Sequence, residues 1–405
     1  MAGALEGIRI IDWTQWQQGP QCTMLLADLG ADVIKIEDRI TGDPGRGAMV
    51  VGGHRVADNL KQRNPYFEIG NRNKRSLKVD LKKEAGRELI YRLVEQSDIF
   101  VHNYRSGAAE RLGMDYETLS KYNSRLIYAH CTGWGEHGPD KDARAFDSTG
   151  LARSGFWSML IHPDGEAHYP PVQIADGMGA ITTAFAVLAA VVHRQRTGEG
   201  QKVSGSILGG MSYLLTYPLT IYTLGGYAPT FISRNQPFNP LYSQYKCQDG
   251  RWLALILIPP DQHWPNFCQV MGLQELESDP RFNNMEARSK NTPDLVAILD
   301  ERFATQPSQT WERLLREKDM PVSRINTVAE FSDDPQAIAN DYVIEYDHSS
   351  WGRIKTAGFP ISMTRTPCSV RREAPEFGQH TEEILLELLG YDWDHISRLK
   401  EDEVI

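Results

Sequence analysis

The amino-acid sequence predicts an α/β protein whose main sheet is parallel and doubly wound. Residues 8–37 read as a strand, a loop, a helix and a second strand, which is the pattern of a βαβ unit. Short apolar runs then alternate with helical segments up to residue 131. At 405 residues the chain exceeds one ordinary core, so we expect two or three domains.

The first βαβ unit has a β-branched strand at 8–11, a helix over 22–30 and a second strand at 31–37. Its first turn carries Gln15, Gln17, Gln18, Gly19 and Pro20 in place of the GxGxxG pattern of dinucleotide-binding proteins. An NAD site is therefore disfavoured. Gln17 and Gln18 are either polar loop residues or ligand contacts.

The alternation of strands and helices continues after a Gly-, Asn- and Arg-rich loop at 41–66, which we expect to be functional or to contact a partner. Strands are predicted at 76–80, 98–102 and 126–131, and helices at 84–96, 108–112 and 116–122. Basic residues gather between 72 and 111, several of them in loops or at strand ends. They form either a solvated face or an anion site, since doubly wound sheets bind ligands at strand ends.

An apolar helix follows Asp176 and ends in the charged, Gly-rich sequence TGEGQ at 197–201. Apolar residues occupy every side of this helix, so we expect it to be buried all round. Asp176 either caps the helix or is a carboxylate nucleophile, with the amides of Gly177 and Gly179 stabilising its negative intermediates. We expect the helix N-terminus to lower the pKa of Asp176 and keep it ionised.

The character of the chain changes near residue 225, where a Gly-, Pro- and Asn-rich stretch begins. A β-hairpin with a DG turn is predicted at 245–258. Helices are predicted at 264–271, 292–303 and 310–318, and an extended segment at 320–326. A strand-like segment at 351–363 and a final helix at 381–389 follow. The middle of the chain is thus predicted to form a second, α+β domain.

The composition is that expected of a soluble cytoplasmic protein. The first residues lack the pattern of a secretory signal, and the five cysteines are scattered without CxxC spacing. A net charge of −10 disfavours general nucleic-acid binding, and no apolar run approaches the length of a membrane span. Neither GxSxG, HExxH nor a P-loop occurs. We expect no metal and no tightly bound cofactor.

Four blocks of sequence, in order, resemble the family III CoA-transferases, which include the formyl-CoA, carnitine and benzylsuccinate CoA-transferases. The blocks are LEGIRIIDWTQWQQGPQCTMLLADLGADVIKIED, NRNKRSLKVDLKKEAGRELIYRLVEQSDIFVHN, DGMGAITTAFAVLAAVVHRQRTGEGQKV and APEFGQHTEEIL. Together they extend over essentially the whole chain. The resemblance implies that Asp176, 21 residues before Thr197 of TGEGQ, is the nucleophile.

The resemblance also implies which residues contact CoA. In this sequence they are Gln17, Gln18, Arg39, Val79, Asp80, Leu81, Lys82, Asn103, Tyr104, Arg105, Arg111, Arg144, Ala145, Phe146 and Asp147. Lys82, Arg105 and Arg111 suit phosphate groups because their cations donate charge-assisted hydrogen bonds. Some family members have Arg directly after the KIE strand, whereas this chain has Asp38 followed by Arg39.

The fold implied by the resemblance is a ring-like chain in an interlocked dimer. A Rossmann-like large domain is built from both termini, with residues 1–224 as its N-terminal part and 331–405 as the returning C-terminal segment. Residues 225–330 form the smaller α+β domain. A homodimer is expected, and a heteromer with a related chain stays open. No nucleic acid or membrane is expected as a partner.

The implied activity is transfer of CoA from an acyl-CoA donor to a carboxylic acid through an aspartyl anhydride and an aspartyl-CoA thioester. Coenzyme A and acyl-CoA are substrates in this reaction. One alternative is an α-methylacyl-CoA racemase, but those enzymes have His where this chain has Phe146, and racemisation needs that second proton carrier. The other alternative is a non-catalytic subunit of a heteromeric transferase, against which Asp176 argues.

The sequence favours an acid larger than formate or oxalate. The formyl-CoA transferases carry a glycine-rich loop where this chain has FISRNQPFNPLYSQY at 231–245. Trp157, Phe231, Phe238 and Tyr242 either line an aromatic acyl pocket or are ordinary core or interface aromatics. Arg234 is a candidate partner for a second carboxylate. The specific hypothesis is a succinyl-CoA donor with an aromatic dicarboxylic acceptor.

Overall fold

The computed structural model describes residues 3–48, 50–51, 54–55, 64–105, 107–162, 165–235 and 237–405. The chain divides into two compact units. The larger consists of Met1–Met159, His168–Pro229 and Ile338–Ile405, and the smaller of Leu160–Ala167 and Thr230–Ala337. The sequence analysis placed the corresponding boundaries at 224/225 and 330/331 and did not include 160–167 in the smaller domain.

The secondary-structure elements are numbered in chain order. The strands are β1 (Arg9–Trp13), β2 (Asp32–Asp38), β3 (Val50–Val51), β4 (His54–Arg55), β5 (Lys74–Val79), β6 (Ile99–His102), β7 (Ile127–Thr132), β8 (Lys202–Ser206), β9 (Tyr242–Lys246), β10 (Trp252–Ile256), β11 (Val322–Arg324), β12 (Val343–His348) and β13 (Gly352–Ala357). The helices are α1 (Gln18–Asp28), α2 (Pro65–Glu68), α3 (Glu84–Glu95), α4 (Ala108–Arg111), α5 (Tyr116–Leu119), α6 (Asp147–Arg153), α7 (Ile174–Thr197), α8 (Ile207–Leu214), α9 (Thr216–Gly225), α10 (Pro260–Met271), α11 (Met285–Lys290), α12 (Thr292–Phe303), α13 (Ser308–Arg316), α14 (Val328–Ser332), α15 (Pro335–Ala339), α16 (Thr381–Leu389) and α17 (Trp393–Glu401). Single 3₁₀ turns lie at Pro44–Gly47, Trp157–Leu160 and Gln274–Leu276.

The larger unit is built on a six-stranded sheet in the order β5-β2-β1-β6-β7-β8. All five strand pairs are parallel. Counted among themselves in chain order, these strands are arranged 3-2-1-4-5-6, which is the order of the doubly wound dinucleotide-binding sheets. The predicted α/β class with a large parallel sheet is therefore confirmed.

Each face of this sheet carries its own apolar core, because successive side chains of a strand point to opposite faces. Ile10 of β1 packs in one cluster with Leu26 of α1 and Val187 of α7. Its neighbour Ile11 packs in another cluster with residues of α3 and of the C-terminal helices α16 and α17. Strands buried on both faces read as continuous β-branched runs, which explains why the run at 8–11 could be recognised from sequence.

The long helix α7 is not buried all round, so that prediction is wrong. Its inner face, including Ala180, Ala184 and Val187, packs in the core. On the opposite face Ile181 is 51% exposed, Phe185 75% and Val192 45%. Length and composition alone would allow α7 to cross a membrane. Its inner face instead packs against the sheet and α1, as does the core helix of a globular protein.

The smaller unit contains the predicted hairpin, which is confirmed. Strands β9 and β10 pair antiparallel, with Leu253 opposite Tyr245, and β11 adds to the other edge of β10. Aromatic residues of helices α10, α12 and α13 fill its core, among them Phe267, Phe303 and Trp311. The predicted helix at 292–303 has those bounds in the structure.

The strand-like segment predicted at 351–363 contains β13, which pairs antiparallel with β12. Strand β12 and helix α17, which follows α16, were not predicted. The sequence does contain a signal for the start of α17, since Asp392 is a residue type that commonly caps helices. In the structure its side chain accepts a hydrogen bond from the His395 amide at 2.8 Å. The apolar segment at 211–224 belongs to the helices α8 and α9.

Candidate active site

A cavity of about 580 Å³ opens at the carboxyl ends of β1, β6 and β7. Strands β1 and β6 are neighbours at the point where the strand order reverses, which is where open α/β sheets bind ligands. The lining residues are Gln15, Trp16, Gln17, Gln18, Asn103, Tyr104, Arg105, Ala108, Arg111, His130, Cys131, Thr132, Gly133, Lys141, Asp142, Ala143, Arg144, Ala145, Phe146, Asp176 and Ile207. The fold thus brings the predicted nucleophile to the same cavity as nine of the predicted CoA contacts.

The loop after β1 is fixed to its neighbours through its backbone. The Gln15 amide donates to Asn103 Oδ1 at 2.9 Å, and Asn103 Nδ2 donates back to the Gln15 carbonyl at 2.7 Å. Trp16 has a left-handed backbone with φ of 65°, and its amide donates to Asp43 Oδ1 at 3.1 Å. A bulky residue rarely adopts this conformation. These bonds therefore hold the Trp16 indole against the cavity.

Four cations face the cavity from two loops and a short helix. They are Arg105, Arg111, Lys141 and Arg144. Within the described part of the chain, none of the four forms an ion pair with an acidic side chain. Cations that neighbouring carboxylates leave uncompensated suit an anionic ligand.

Aromatic side chains support the floor of the cavity. The Tyr104 ring stacks on Trp13 with centroids 4.1 Å apart, and burial raises the pKa of the Tyr104 hydroxyl to about 12. His130 Nε2 lies 2.9 Å from the Tyr104 carbonyl, and its Nδ1 lies 2.7 Å from Glu136 Oε1. The hydrogen bond to His130 lowers the pKa of Glu136 to about 2, so this carboxylate is ionised at neutral pH.

Asp176 is the third residue of α7, whose N-cap position is Gln173. The interpretation of Asp176 as the capping residue is therefore wrong. The Gly177 amide donates to the Gln173 carbonyl at 3.1 Å within the helix. The amide of Gly177 is thus already used by the helix, which argues against the predicted role of the first-turn glycine amides in binding negative intermediates.

The cap of α7 comes from another helix, through Asp147. Asp147 Oδ1 accepts hydrogen bonds from the Ala175 amide at 2.7 Å and the Asp176 amide at 3.0 Å. Asp147 is only 6% exposed, and its Oδ2 has no hydrogen-bond partner among the described residues. Burial raises the pKa of Asp147. Asp147 was predicted as a CoA contact, but the structure places it at the start of α7 and outside the cavity lining.

Burial and the neighbouring Asp147 carboxylate together raise the pKa of Asp176 to about 7. The prediction that the helix N-terminus lowers this pKa is therefore wrong. Two effects outweigh the helix dipole here. Desolvation disfavours the charged carboxylate, and a like charge nearby disfavours it further, whereas a helix end contributes a smaller, opposite effect.

Two further polar side chains border Asp176. Burial, followed by the Asp176 charge, raises the pKa of Tyr66 to about 12, so its hydroxyl stays protonated at neutral pH. The Gln17 side chain accepts a hydrogen bond from Gln21 Nε2 at 2.8 Å and donates to the Tyr66 carbonyl at 3.2 Å. Gln17 is thereby held in one orientation at the cavity wall.

Gly179 allows α1 to approach α7 closely. A Cβ at Gly179 would lie 2.7 Å from Nε2 of Gln18, which itself donates to the Thr132 carbonyl at 3.2 Å. At Gly177 the nearest heavy atom to such a Cβ is Gln21 Oε1 at 4.0 Å. Gly179 therefore positions the predicted CoA contact Gln18 and does not itself line the cavity.

The remaining predicted contacts lie at the same edge of the sheet, beyond the cavity lining. Arg39 follows β2 and pairs with Glu403 at 3.6 Å. Val79 ends β5, and Asp80, Leu81 and Lys82 follow it. The Asp80 amide donates to the Val404 carbonyl at 2.8 Å. The side chains of Val79 and Leu81 are buried in the core. The predicted functional loop at 41–66 lies partly outside the described residues.

A further set of cavity residues was not predicted from the sequence. They are Gln15, Trp16, Ala108, His130, Cys131, Thr132, Gly133, Lys141, Asp142, Ala143 and Ile207, of which Gln15 was noted only for its place in the first turn. His130 to Gly133 lie at the end of a predicted central strand, so the rule that ligands bind at strand ends could have identified them.

The residues suggested for an aromatic acyl pocket do not line the cavity. These are Trp157, Phe231, Phe238 and Tyr242. Arg234 forms an ion pair with Asp300 and donates to the Gln244 carbonyl at 3.1 Å. Arg234 is therefore already engaged, and its proposed pairing with a second substrate carboxylate loses its support.

Comparison with known proteins gives consistent results over the whole chain. The profile of "CoA-transferase family III" matches residues 5–381. The chain is 33% identical to the (R)-2-hydroxy-4-methylpentanoate CoA-transferase of Clostridioides difficile, covering 99% of each chain. It is 31% identical to the succinyl-CoA–D-citramalate CoA-transferase of Chloroflexus aurantiacus, covering 99% and 98%. A crystal structure of a CAIB/BAIF family protein from Brucella suis superposes with a TM-score of 0.85 at 29% identity, over 96% of this chain and 100% of that one. The chain therefore belongs to CoA-transferase family III.

Proposed function

We propose that this enzyme moves CoA from an acyl-CoA donor to a carboxylic acid, with Asp176 as the covalent nucleophile. The main observation behind the proposal is that Asp176 lines the same cavity as four cations that have no acidic partner among the described residues. A carboxylate beside a cationic cavity that can hold an anionic acyl-CoA is the arrangement that nucleophilic acyl transfer requires.

The cations are proposed to bind the phosphate groups of CoA. Arg105, Arg111, Lys141 and Arg144 supply positive charge along the cavity. Arg39 and residues 79–82 extend the same sheet edge and are proposed to contact the adenosine end. Since Val79 and Leu81 have buried side chains, we expect them to contribute backbone atoms.

The proposed reaction has four steps. The ionised carboxylate of Asp176 attacks the donor thioester carbon, and the C–S electron pair leaves with CoA as thiolate. The thiolate then attacks the aspartyl carbonyl of the anhydride, and the donor acid leaves as carboxylate. Next the acceptor carboxylate attacks the carbonyl of the enzyme thioester, and the C–S bond breaks to release CoA thiolate and give a new anhydride. Finally the thiolate attacks the acceptor carbonyl of this anhydride, which forms the new acyl-CoA and releases Asp176 as a carboxylate.

Each step passes through a negatively charged tetrahedral intermediate that needs hydrogen-bond donors. Because the Gly177 amide is used within α7, we propose side chains instead. Gln17 Nε2 is fixed at the cavity wall, and the Tyr66 hydroxyl, with its pKa raised to about 12, is a protonated donor near Asp176.

The proposed donor is succinyl-CoA, and the acceptor a carboxylic acid larger than formate. The name of the Chloroflexus relative includes succinyl-CoA, and both relatives' names include branched hydroxy acids. Gln17, Gln18 and Trp16 present neutral polar and aromatic groups near Asp176, which suit a hydroxylated or aromatic acyl group.

The active form is proposed to be a cytoplasmic homodimer. On α7, α8 and α9, large apolar side chains are exposed, among them Phe185 at 75% and Tyr217 at 73%. Contiguous exposed apolar surface of this kind marks protein interfaces. An interlocked arrangement of the two chains remains the form implied by the family resemblance.

The experiment is an assay of the purified chain with succinyl-CoA and a set of acids. The set contains (R)-2-hydroxy-4-methylpentanoate, D-citramalate, glutarate and benzylsuccinate, and liquid chromatography identifies the acyl-CoA products. We expect CoA transfer to at least one acid and its loss in Asp176→Ala. Full activity of Asp176→Ala would contradict the proposal. Exchange of an α-proton with solvent, without CoA transfer, would indicate a racemase. CoA transfer that requires a partner chain would indicate a heteromeric enzyme.

A further inference from the structure

The carboxylate of Asp147 is bound through only one of its oxygens. Oδ1 accepts the amides of Ala175 and Asp176 at 2.7 and 3.0 Å. Oδ2 is buried without a hydrogen-bond partner among the described residues, although buried polar atoms are normally satisfied. A neutral acceptor such as an asparagine or serine would cap the helix equally well. The capping role of Asp147 can therefore be kept in a variant that lacks its charge.

Asp176 has charged, neutral polar and apolar neighbours from several elements. Helix α6 contributes Asp147, and α2 contributes Tyr66, a protonated phenol. Helix α1 contributes the neutral Gln18, and α8 the apolar Ile207. The loop before α6 places Lys141 and Arg144 on the wall of the same cavity.

Among the described residues, Asp147 is the acid whose negative charge raises the pKa of Asp176. The Asp147 carboxylate is held next to the backbone of Asp176, because its Oδ1 accepts the Asp176 amide at 3.0 Å. This bond keeps the Asp147 charge close to the residue whose side chain it repels. Two acids held in this way cannot both ionise easily.

We propose that Asp147 is a positioning residue for the nucleophile, which fixes the first turn of α7 and holds a second negative charge beside Asp176, so that acylation of Asp176 is favoured. The proposal rests on the proposed role of Asp176 as nucleophile. Asp147 contacts neither substrate nor reacting atoms, and acts through Asp176.

The chemistry follows from counting charges in the site. Before acylation, ionised Asp176 and Asp147 repel each other. When an Asp176 oxygen bonds to the acyl carbon and the thiolate leaves, Asp176 becomes neutral and the repulsion disappears. The aspartyl-CoA thioester is neutral at this position as well. The repulsion from Asp147 raises the free energy of the free Asp176 carboxylate but not that of the two neutral covalent intermediates. Both intermediates are therefore favoured relative to the free carboxylate.

Two substitutions of Asp147 distinguish the effect of its negative charge from the effect of its capping hydrogen bonds. Asp147→Asn keeps a carbonyl oxygen that can accept both amides and removes the charge. Asp147→Glu keeps the charge and is the matched control. Thermal unfolding and amide hydrogen exchange of α7 establish that both variants are folded.

The test is a titration of Asp176 by carbon-13 NMR in protein labelled at the aspartate carboxyl carbon, with the signal assigned through Asp176→Asn. We expect a midpoint near 7 in the wild type and in Asp147→Glu. In Asp147→Asn we expect it lower by about one pH unit or more, a tenfold change in proton affinity. An unchanged midpoint in Asp147→Asn, or a wild-type midpoint near the ordinary value of about 4, would overturn the proposal.

A second readout follows acylation itself, with succinyl-CoA as the probe and hydroxylamine as the trap. The fraction of Asp176 trapped at pH 8 should be lower in Asp147→Asn than in Asp147→Glu, and equal fractions would count against the proposal. Because the titration needs no substrate, it decides the proposal even if the chain transfers no CoA. A wild-type chain without transferase activity would contradict the proposed function alone.

Discussion

The surroundings of Asp176 oppose its proposed role, because a nucleophile must be ionised whereas its environment favours the neutral acid. Burial and Asp147 raise its pKa to about 7, from 3.8 for an unperturbed aspartate. Between these values the folded protein retains a proton that the unfolded chain has released. Stability therefore falls as the pH rises from about 4 to 7, and the full penalty applies above 7.

Removing the Asp176 charge should stabilise the protein at alkaline pH. A shift of about three pKa units corresponds to at most about 4 kcal/mol, so we expect Asp176→Asn to gain about 2 kcal/mol at pH 8 and little at pH 4. Urea unfolding at both pH values measures this difference. Glu199→Gln, a change at an exposed acid, is the control and should alter stability little at either pH. Equal stability of Asp176→Asn and wild type at pH 8 would contradict the raised pKa.

Arg105 and Arg111 should determine the affinity for CoA. Loss of one charge-assisted hydrogen bond to a phosphate costs about 1.5–3 kcal/mol, so Arg105→Gln or Arg111→Gln should raise the KM for the acyl-CoA at least about tenfold. The dependence of KM on salt should weaken in parallel. Arg92→Gln, at an exposed arginine of α3 paired with Glu88 at 3.5 Å, should leave KM unchanged. Equal effects of all three variants would contradict the proposed phosphate site.

Among the elements, the strands and long helices of the larger unit could be predicted from sequence, because buried parallel strands are continuous apolar runs. The exposed face of α7 could not. Phe185 and Val192 are as apolar as core residues, and only the three-dimensional packing distinguishes which side meets the sheet. The cap of α7 was equally hidden, since Asp147 lies 29 residues before Asp176. Contacts between distant segments leave no periodic signal.

Helix α7 offers a matched pair of glycines for a test of its packing. Gly179→Ala should displace the Gln18 side chain, because the new Cβ would lie 2.7 Å from Nε2. We expect a several-fold rise in the KM for the acyl-CoA. Gly177→Ala meets no heavy atom closer than 4.0 Å and should stabilise the helix by about 0.5 kcal/mol.

Steady-state kinetics and thermal unfolding of both alanine variants decide between these expectations. A rise in KM for Gly177→Ala and none for Gly179→Ala would show that Gln18 does not depend on Gly179. The comparison is informative because both changes add one methyl group within the same turn of α7.

For the whole molecule, the exposed apolar surface of α7, α8 and α9 predicts self-association. Sedimentation equilibrium should give twice the mass of the 45.7 kDa chain. Phe185→Asp should weaken the dimer because it buries an unpaired charge in the interface. Val328→Asp, at an exposed residue of the smaller unit, should not. A wild-type chain that sediments as a monomer would contradict the proposed dimer.

Resemblance to a family predicted Asp176 as nucleophile and a set of CoA contacts, and the sheet's strand order brings Asp176 and nine of those residues to one cavity. The pKa of Asp176 depends on burial and on one distant acid, neither of which is visible in a linear sequence.

The covalent role of Asp176 can be observed by mass spectrometry of the protein after incubation with succinyl-CoA and hydroxylamine. We expect an aspartyl hydroxamate on the peptide that contains Asp176, formed only in the presence of the acyl-CoA, and none in Asp176→Asn. Transfer of CoA with no modification at Asp176, or with undiminished activity in Asp176→Asn, would contradict covalent catalysis by this residue.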